Sequence, residues 1–217
     1  MCIFARNNGL MTTKKSLPCL FSVLCVALTM LCGCFRNDKA SIMPETVHLQ
    51  EGDVVFRLGT TMQSRAVVLA DPMGHYSHCG IVVDSAGVTR IVHAVPGEPD
   101  FEGDVGRVKM DTPERFFSGE NAVAGEVCRP LDSVAACVAA TEAKADFFRH
   151  VLFDHDYDSA DTTKFYCSEF IVHAFRKAGV ELTGPPTHSY DVPGIHSIIW
   201  MPIDIYQSKH LKPVVRF

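Results

Sequence analysis

One cysteine and two histidines have the residue types and positions that suit nucleophilic catalysis. The cysteine, Cys167, lies in TTKFYCSEFIVHAF, within the predicted first turn of a helix. Backbone amides in a first turn lack partners inside the helix, and the helix dipole favours negative charge there. A thiolate at this position is stabilised and becomes a better nucleophile. The alternative is a cysteine that only packs, because cysteine is a common core residue.

His78 and His93 lie on two predicted strands, SHCGIVVD and VTRIVHAV, which a short turn separates. If Val83 opposes Val88 across the hairpin, His78 faces His93, and their Cβ atoms stand ~4.5–5.5 Å apart. Two imidazoles beside a helix-start thiol would supply a base and an orienting group. A three-residue loop with a bulge would instead move the histidines to opposite faces.

The same side chains are also possible zinc ligands. His75 with His78, or His78 with His93 and Cys167, would offer suitable ligand atoms, but none of the strong zinc-binding spacings is present. The spacing therefore gives little support to a zinc site.

The elements that must position these residues follow from the hydrophobic pattern. GDVVFRLG (52–59), GRVKMD and AVAGEVCRPL read as strands, and TTMQSRAVVLA and TPERFF as short helices. After Asp132 the period changes to that of an amphipathic helix, whose stripe we expect to face the core. The stripe comprises Val134, Cys137, Val138, Thr141, Ala145, Phe148 and Leu152. On this interpretation Cys137 is a packing residue, as Cys128 is in its strand.

Three neighbours of the candidate residues have predicted structural roles. Glu169 lies about 200° around the helix from Cys167, so we expect it to face outward and support the helix start electrostatically. His173 follows one turn later on that same face and is predicted to be solvated. Cys79 alternates with His78 on its strand and should point into the core.

Composition and charge exclude several classes of protein. The chain has 217 residues, of which 47% are hydrophobic and 21% charged, which is typical of a globular protein and not of a disordered one. The net charge is −5 and no run of basic residues is present. We therefore expect no nucleic-acid partner.

The first 34 residues read as an export signal. Lys14 and Lys15 precede an apolar run with no charge before Arg36. The ending LCGC resembles a bacterial lipoprotein signal, in which Cys34 would carry the lipid; the alternative is an uncleaved membrane anchor. Either Met1 or Met11 could be the true start. We expect a signal segment (1–34), a tether (35–44), one domain (45–217), and a location in the bacterial cell envelope.

Four segments together carry a family resemblance: GDVVF, SHCGIVV, IVHAV and YCSEF, in that order. They resemble the permuted branch of the NlpC/p60 papain-like cysteine hydrolases, the YiiX-like group, over roughly residues 52–180. In this branch the histidine strand precedes the cysteine helix. By position, Cys167 matches the nucleophile and His78 the general base, whereas His93 falls where the family has a polar third residue.

The resemblance implies an α+β, papain-like fold, with a small antiparallel sheet packed against helices. It also implies thiol hydrolysis that needs neither a metal nor an organic cofactor, with an oxyanion hole that includes the amide of Cys167. Tyr76 and Tyr166 flank the candidate residues in sequence and could complete that hole or line the groove.

The substrate divides the functional hypotheses. The first is a hydrolase of amide bonds, such as those of a peptide or a cell-wall stem peptide. The second is a lipid-directed acyl hydrolase or acyltransferase, because permuted relatives of lecithin–retinol acyltransferase act on acyl esters or amides. The third is a non-catalytic wall- or ligand-binding module.

Among Cys79, Cys128, Cys137 and Cys167, two could form a disulfide in an oxidising envelope.

Overall fold

A computed structural model of the chain describes residues 39–71, 73–192 and 194–217. The strands are β1 (Val54–Leu58), β2 (His78–Ser85), β3 (Val88–Val95), β4 (Arg107–Asp111), β5 (Ala124–Pro130), β6 (Leu152–Phe153), β7 (Lys164–Phe165), β8 (His188–Val192), β9 (Ile195–Ile199) and β10 (Leu211–Arg216). The helices are α1 (Met62–Ala70), α2 (Pro113–Phe116), α3 (Ser133–Phe148), α4 (Cys167–Lys177) and α5 (Pro202–Tyr206). The fold is α+β, as expected from the sequence.

One sheet organises the described residues. Its strands follow the order β10-β5-β1-β2-β3-β4-β6-β7, and β8 and β9 form a separate hairpin. With eight strands it is larger than the small sheet expected, and it includes one parallel pair, β6 with β7. A core that includes residues of α3, α4 and α5 covers one face of the sheet. On the other face, Val55, Val82 and Ile91 pack against Phe116 and Phe117.

The β2–β3 hairpin differs from the predicted register by two residues. Ser85 pairs with Val88, which leaves a two-residue turn of Ala86 and Gly87. Both turn residues have positive φ, at 55° and 80°, as the tight hairpin turn with matching twist requires. Val83 consequently pairs with Arg90 instead of Val88. Because side chains alternate with period two, an even shift leaves every residue on its predicted face.

The predicted orientation of α3 is wrong. The stripe expected in the core is largely in solvent: Val134 is 73% exposed and Phe148 67%, and Cys137 is exposed too. The buried face consists mainly of alanines, namely Ala135, Ala136, Ala139, Ala140 and Ala143. Alanine lets the helix backbone approach the sheet closely, so this face packs without large side chains. Cys137 is therefore not a core residue, whereas Cys128 is fully buried on β5, as predicted.

The start of α4 is held by its own side chains. The backbone N–H of Tyr166 donates to Glu169 Oε2 at 3.4 Å, so Glu169 supports the helix start through a hydrogen bond. The predicted electrostatic support is not what the structure shows, because burial raises the pKa of Glu169 to about 8 and favours its neutral form. Glu169 does not face outward, however, because only 4% of it is exposed. His173 is also half-buried, 3.9 Å from Asp146, and is not a freely solvated residue.

Much of the N-terminal prediction lies outside the described residues, including the signal segment and Cys34. The last part of the predicted tether is described and lies on the domain. Ile42 N–H donates to the Phe117 carbonyl at 2.8 Å, and the Ile42 side chain packs against the apolar cluster that contains Phe116 and Phe117. Within the described ranges, every helix is too short or too polar to cross a bilayer.

Candidate active site

A chain of hydrogen bonds joins three buried side chains at the hairpin. His78 Nε2 lies 2.8 Å from His93 Nδ1, and His93 Nε2 lies 3.1 Å from Asp111 Oδ2. His93 is fully buried, and the other two are less than 10% exposed. The sequence analysis named the two histidines and missed Asp111, the last residue of β4, where it pairs with Ile91 of β3.

The carboxylate at the end of this chain determines where each ring carries its proton. Burial opposes ionisation of Asp111, but the hydrogen bond from His93 and nearby cations outweigh burial and hold the pKa at about 2. The ionised Asp111 can only accept hydrogen bonds, so His93 Nε2 must carry the hydrogen in this contact, which leaves His93 Nδ1 as an acceptor. His78 must then donate through Nε2–H. Its Nδ1 atom is left with a free lone pair, as a general base requires.

Glycine at position 80 makes room for His93. A Cβ atom on Gly80 would lie 2.7 Å from Ile91 Cγ2 and 3.2 Å from His93 Cβ. A side chain here would have to push the Ile91 methyl group aside and would crowd the Cβ atom of His93. The glycine of SHCGIVV is visible in the sequence, but the need for a glycine at position 80 appears only in the packing of the two strands.

Cys167 is the first residue of α4 and is partly exposed. Its pKa is lowered well below the usual range, first by a hydrogen bond from the Cys79 thiol and further by His78 and Ser168. Cys79 itself is fully buried, and burial raises its pKa. The position of Cys79 in the core was predicted, whereas its contact with Cys167 was not.

His78 is poised to be neutral. Burial, and next the nearby charge of Arg57, lower its pKa to about 4. Arg57 pairs with His78 across β1 and β2, and its guanidinium lies 4.5 Å from the centre of the Phe116 ring. The ring of His78 packs 5.7 Å from that same phenyl ring. At neutral pH the imidazole therefore carries no charge, and its free lone pair can accept a proton.

His78 and Cys167 line one pocket, of about 880 Å³ including the space open to solvent at its mouth. Its polar lining includes Arg57, Ser77 and Asn121. Its aromatic and apolar lining comprises Val95, Phe153, Tyr157, Tyr166, Tyr190, Ile199, Trp200 and Met201. The rings of Tyr157 and Tyr190 pack against each other at a tilt of 43°, with centres 4.8 Å apart.

The two tyrosines suggested by the sequence have different surroundings. Tyr166 lines the pocket, and its hydroxyl accepts from Trp200 N–H at 3.0 Å, so its own proton remains available for donation. Burial raises its pKa and keeps the hydroxyl protonated. Tyr76 does not line the pocket: it is 3% exposed and donates to Glu126 Oε2 at 2.5 Å. Tyr76 is therefore a core residue, and its suggested role in the groove is wrong.

His93, Glu98 and Asp111 are the described residues closest to a metal-binding arrangement, with one potential ligand atom each, all within 4.8 Å of one another. One Glu98 oxygen, Oε2, is buried without a hydrogen-bond partner among the described atoms.

Positive charge already surrounds these three residues, however. Arg57 pairs with Glu98, Arg115 lies 3.4 Å from Asp111, and the buried ammonium of Lys109 bonds to the Glu98 carbonyl. A divalent cation would meet three positive side chains and would have to displace the bond from His93 to Asp111. The donor set therefore fits an ion-pair cluster better than a metal centre. The zinc sets that include His75 gain no support, because His75 does not line the pocket.

Comparison with known proteins identifies a fold. No family model and no curated protein matches the chain. Among solved structures, the crystal structure of the metalloprotein YiiX from Escherichia coli O157:H7, of the family DUF1105, matches with a TM-score of 0.61 and 19% sequence identity. The match covers 77% of this chain and 97% of that chain. The chain thus has the fold of YiiX, and in this respect it agrees with the YiiX-like resemblance of its motifs.

Proposed function

We propose that the protein is a papain-like thiol hydrolase of acyl bonds, with Cys167 as nucleophile, His78 as general base and His93 as the residue that orients the base. One observation carries this proposal: the chain from Asp111 through His93 leaves His78 Nδ1 as an acceptor in the pocket that also holds Cys167. A non-catalytic binding module would not require a fixed tautomer beside an activated thiol.

The reaction begins when the Cys167 sulfur, as the thiolate that its lowered pKa favours, attacks the substrate carbonyl carbon. A sulfur that still carries its proton first passes it to His78 Nδ1. The backbone N–H of Cys167, at the first residue of α4, and the Tyr166 hydroxyl are the donors available for the oxyanion. The bond to the leaving group breaks as the departing nitrogen or oxygen takes a proton from His78 Nδ1, which the imidazole has gained from the thiol or from solvent. A thioester is left on Cys167. Water then attacks the thioester, His78 takes its proton, and the acid product departs as the thiol re-forms.

An amide substrate, such as a peptide or a cell-wall stem peptide, is the first candidate. It follows from the family resemblance, together with the envelope location that the N-terminal sequence predicts. The polar residues that line the pocket, among them Arg57 and Asn121, could offer hydrogen bonds to a peptide.

An acyl lipid is the second candidate, and the helix at the pocket rim favours it. Gln63, Ser64 and Val67 of α1 line the pocket, whereas its outward residues Met62 and Leu69 are 76% and 82% exposed. A helix that presents apolar residues outward suits contact with lipid. A substrate that approached from a lipid surface would meet the aromatic wall next.

The deciding experiment offers both substrates to the full chain. Purified wild type, Cys167→Ala and Cys137→Ser are incubated with wall stem peptides and, separately, with phosphatidylethanolamine–phosphatidylglycerol vesicles. We expect cleavage of one substrate, release of either a stem-peptide fragment or a fatty acid, by wild type and by Cys137→Ser but not by Cys167→Ala. Release that persists in Cys167→Ala would refute the thiol mechanism.

A further inference from the structure

Cys79 contacts Cys167 where β2 meets the start of α4. The Cys79 side chain belongs to the core on the sheet face that α4 covers, and Cys167 packs against that same core. The Cys79 thiol donates a hydrogen bond to the Cys167 sulfur. The hydroxyl of the buried Ser168 lies 3.9 Å from Cys167 Sγ and bonds to Cys79 as well. The two sulfurs therefore belong to one small cluster of polar atoms at the edge of the core.

Neither of the other two described cysteines is placed to pair with Cys79. Cys128 faces the same core, but it opposes Val54 on β1, and Val54 opposes Ile81 on β2. Two strand spacings across the sheet and two residues along β2 place Cys128 about 12 Å from Cys79, which is beyond the reach of a disulfide. Cys137 lies on the exposed face of α3. The candidate disulfide partner of Cys79 is therefore the proposed nucleophile.

The two thiols differ in what can reach them. Cys167 lines the pocket, so a small solute can meet its sulfur, whereas Cys79 is fully buried. The lowered pKa of Cys167 favours the thiolate, which is the form that a peroxide oxidises. Burial raises the pKa of Cys79, so this thiol keeps its proton. An accessible, ionised cysteine beside a second thiol is the arrangement typical of redox-sensitive cysteines.

From this contact we propose that Cys79 and Cys167 form a peroxide-sensitive pair, in which Cys167 is oxidised first and Cys79 then closes a disulfide with it. The disulfide removes the free sulfur at the start of α4, and reduction restores it. The loss of activity rests on the proposed function, since only a nucleophilic Cys167 makes the disulfide an inactive state. Formation of the disulfide depends on the two sulfurs alone.

The chemistry balances with hydrogen peroxide as the oxidant. The Cys167 thiolate attacks one peroxide oxygen and the O–O bond breaks, which gives a sulfenic acid and a hydroxide ion. The Cys79 sulfur then attacks the Cys167 sulfur, the S–O bond breaks, and the oxygen leaves as water with the Cys79 proton. The hydroxide takes a proton from solvent. In sum, both sulfurs are oxidised, one peroxide molecule is reduced, and two water molecules form.

The second thiol also protects the first from irreversible damage. A sulfenic acid that finds no thiol can react with another peroxide molecule and become a sulfinic acid, which dithiothreitol does not reduce. In the disulfide the Cys167 sulfur still faces the pocket, so an external thiol can attack it and release Cys79. The pair is therefore expected to make oxidation of the site reversible.

Peptide mapping of the peroxide-treated full chain tests the pair. The reduced wild-type protein is treated with hydrogen peroxide, free thiols are blocked with N-ethylmaleimide, and the digest is analysed without reduction. We expect a linked pair of peptides, containing Cys79 and Cys167, with two hydrogens fewer than the separate peptides together. Alkylation of Cys167 by iodoacetamide should be lost in parallel, and dithiothreitol should reverse both changes. A Cys167 that is found as sulfinic acid, linked to another cysteine or still free would overturn the proposal.

Cys79→Ala and Cys128→Ala separate the role of the second thiol from the general effect of an alanine in the core, because each replaces a fully buried cysteine. After peroxide, dithiothreitol should restore Cys167 alkylation in Cys128→Ala as in wild type. It should restore at most about one tenth as much in Cys79→Ala, where the sulfenic acid advances to sulfinic acid. Equal recovery in the two variants would contradict the role of Cys79. Slow alkylation of the remaining buried cysteine shows that a variant is folded, and the wild-type peptide map decides the question if Cys79→Ala is not.

The pair and the proposed function fail separately, because the peptide map needs no substrate. A linked peptide from a chain that cleaves neither wall peptides nor lipid would support the pair and refute the hydrolase. Hydrolysis that Cys167→Ala abolishes, without a linked peptide after peroxide, would refute the pair and support the hydrolase.

Discussion

His78 Nε2 lies 2.8 Å from His93 Nδ1, although the two residues are offset by two positions in the hairpin. Their side chains meet diagonally on one face of the sheet, where such neighbours remain within reach of long side chains. Through this contact, the ionised Asp111 fixes the tautomer of His93 and then that of His78, and so determines which nitrogen of His78 has a free lone pair. The predictions below concern this chain, the helix that carries Cys167 and the packing that supports them.

Asp111→Asn should reduce hydrolysis by roughly 100- to 10,000-fold, the range that a positioned general base typically contributes. The amide can donate to His93 Nε2, which would reverse both ring tautomers and leave His78 Nδ1 protonated towards Cys167. The measurement is kcat on whichever substrate the wild type cleaves. Asp100→Asn, which alters an exposed carboxylate bonded to Arg107 and Lys109, is the matched control and should remain near wild type. Equal losses in the two variants would show that Asp111 acts only through general electrostatics.

Glu169→Gln should flatten the pH dependence of stability. Burial raises the pKa of Glu169 from 4.5 to about 8, so the folded chain keeps a proton that the unfolded chain releases. The free energy of unfolding therefore falls as pH rises from about 4.5 to about 8. Glutamine removes this titration and still accepts the Tyr166 N–H. Urea unfolding across that window should show a shallower slope for Glu169→Gln than for wild type, whereas exposed Glu181→Gln should retain the wild-type slope. Parallel curves for all three proteins would refute the buried acid.

Chelation of metal ions should leave the alkylation rate of Cys167 unchanged. Because Arg57, Lys109 and Arg115 already neutralise the acidic donors around His93, we expect substoichiometric metal in the purified full chain. EDTA should not alter the alkylation rate of Cys167. One tightly held metal equivalent per chain, lost in His93→Gln, would contradict this interpretation of the cluster.

Ala139→Leu should destabilise the fold by about 1–3 kcal/mol, because Ala139 is fully buried and the added carbons have no space. The same enlargement at exposed Cys137, Cys137→Leu, should change the free energy of unfolding by less than about 0.5 kcal/mol. Urea denaturation of both variants provides the comparison. A tolerated leucine at position 139 would mean that α3 does not bury its alanine face.

This helix also shows where sequence reasoning fails. Large apolar residues at helical spacing predicted the buried face, but α3 buries alanine because its backbone lies close to the sheet, and that closeness is a property of the tertiary packing. The reasoning succeeded where local chemistry dominates: β3 matches its predicted segment, and Thr61 and Thr112 cap α1 and α2.

The candidate site was predicted in part. Cys167, His78 and His93 could be identified because the strand pattern, the helix start and the family motifs are all visible in the sequence. Asp111 and Arg57 lie on other strands, and only the order of strands in the sheet brings them to the histidines. The predicted hairpin register was wrong, yet the histidines still met because the error was an even number of residues.

The rate at which iodoacetamide alkylates each cysteine of the full chain, followed by peptide mass spectrometry from pH 5 to 9, tests the central claim most directly. Cys167 should react faster than the more exposed Cys137 at pH 6, and its rate should level off well below pH 9, because its pKa is lowered. Cys79 and Cys128 should stay slow, since burial raises their pKa values. If Cys167 reacts no faster than Cys137 at pH 6 and its rate is still rising at pH 9, the sulfur is not activated and the hydrolase proposal is wrong.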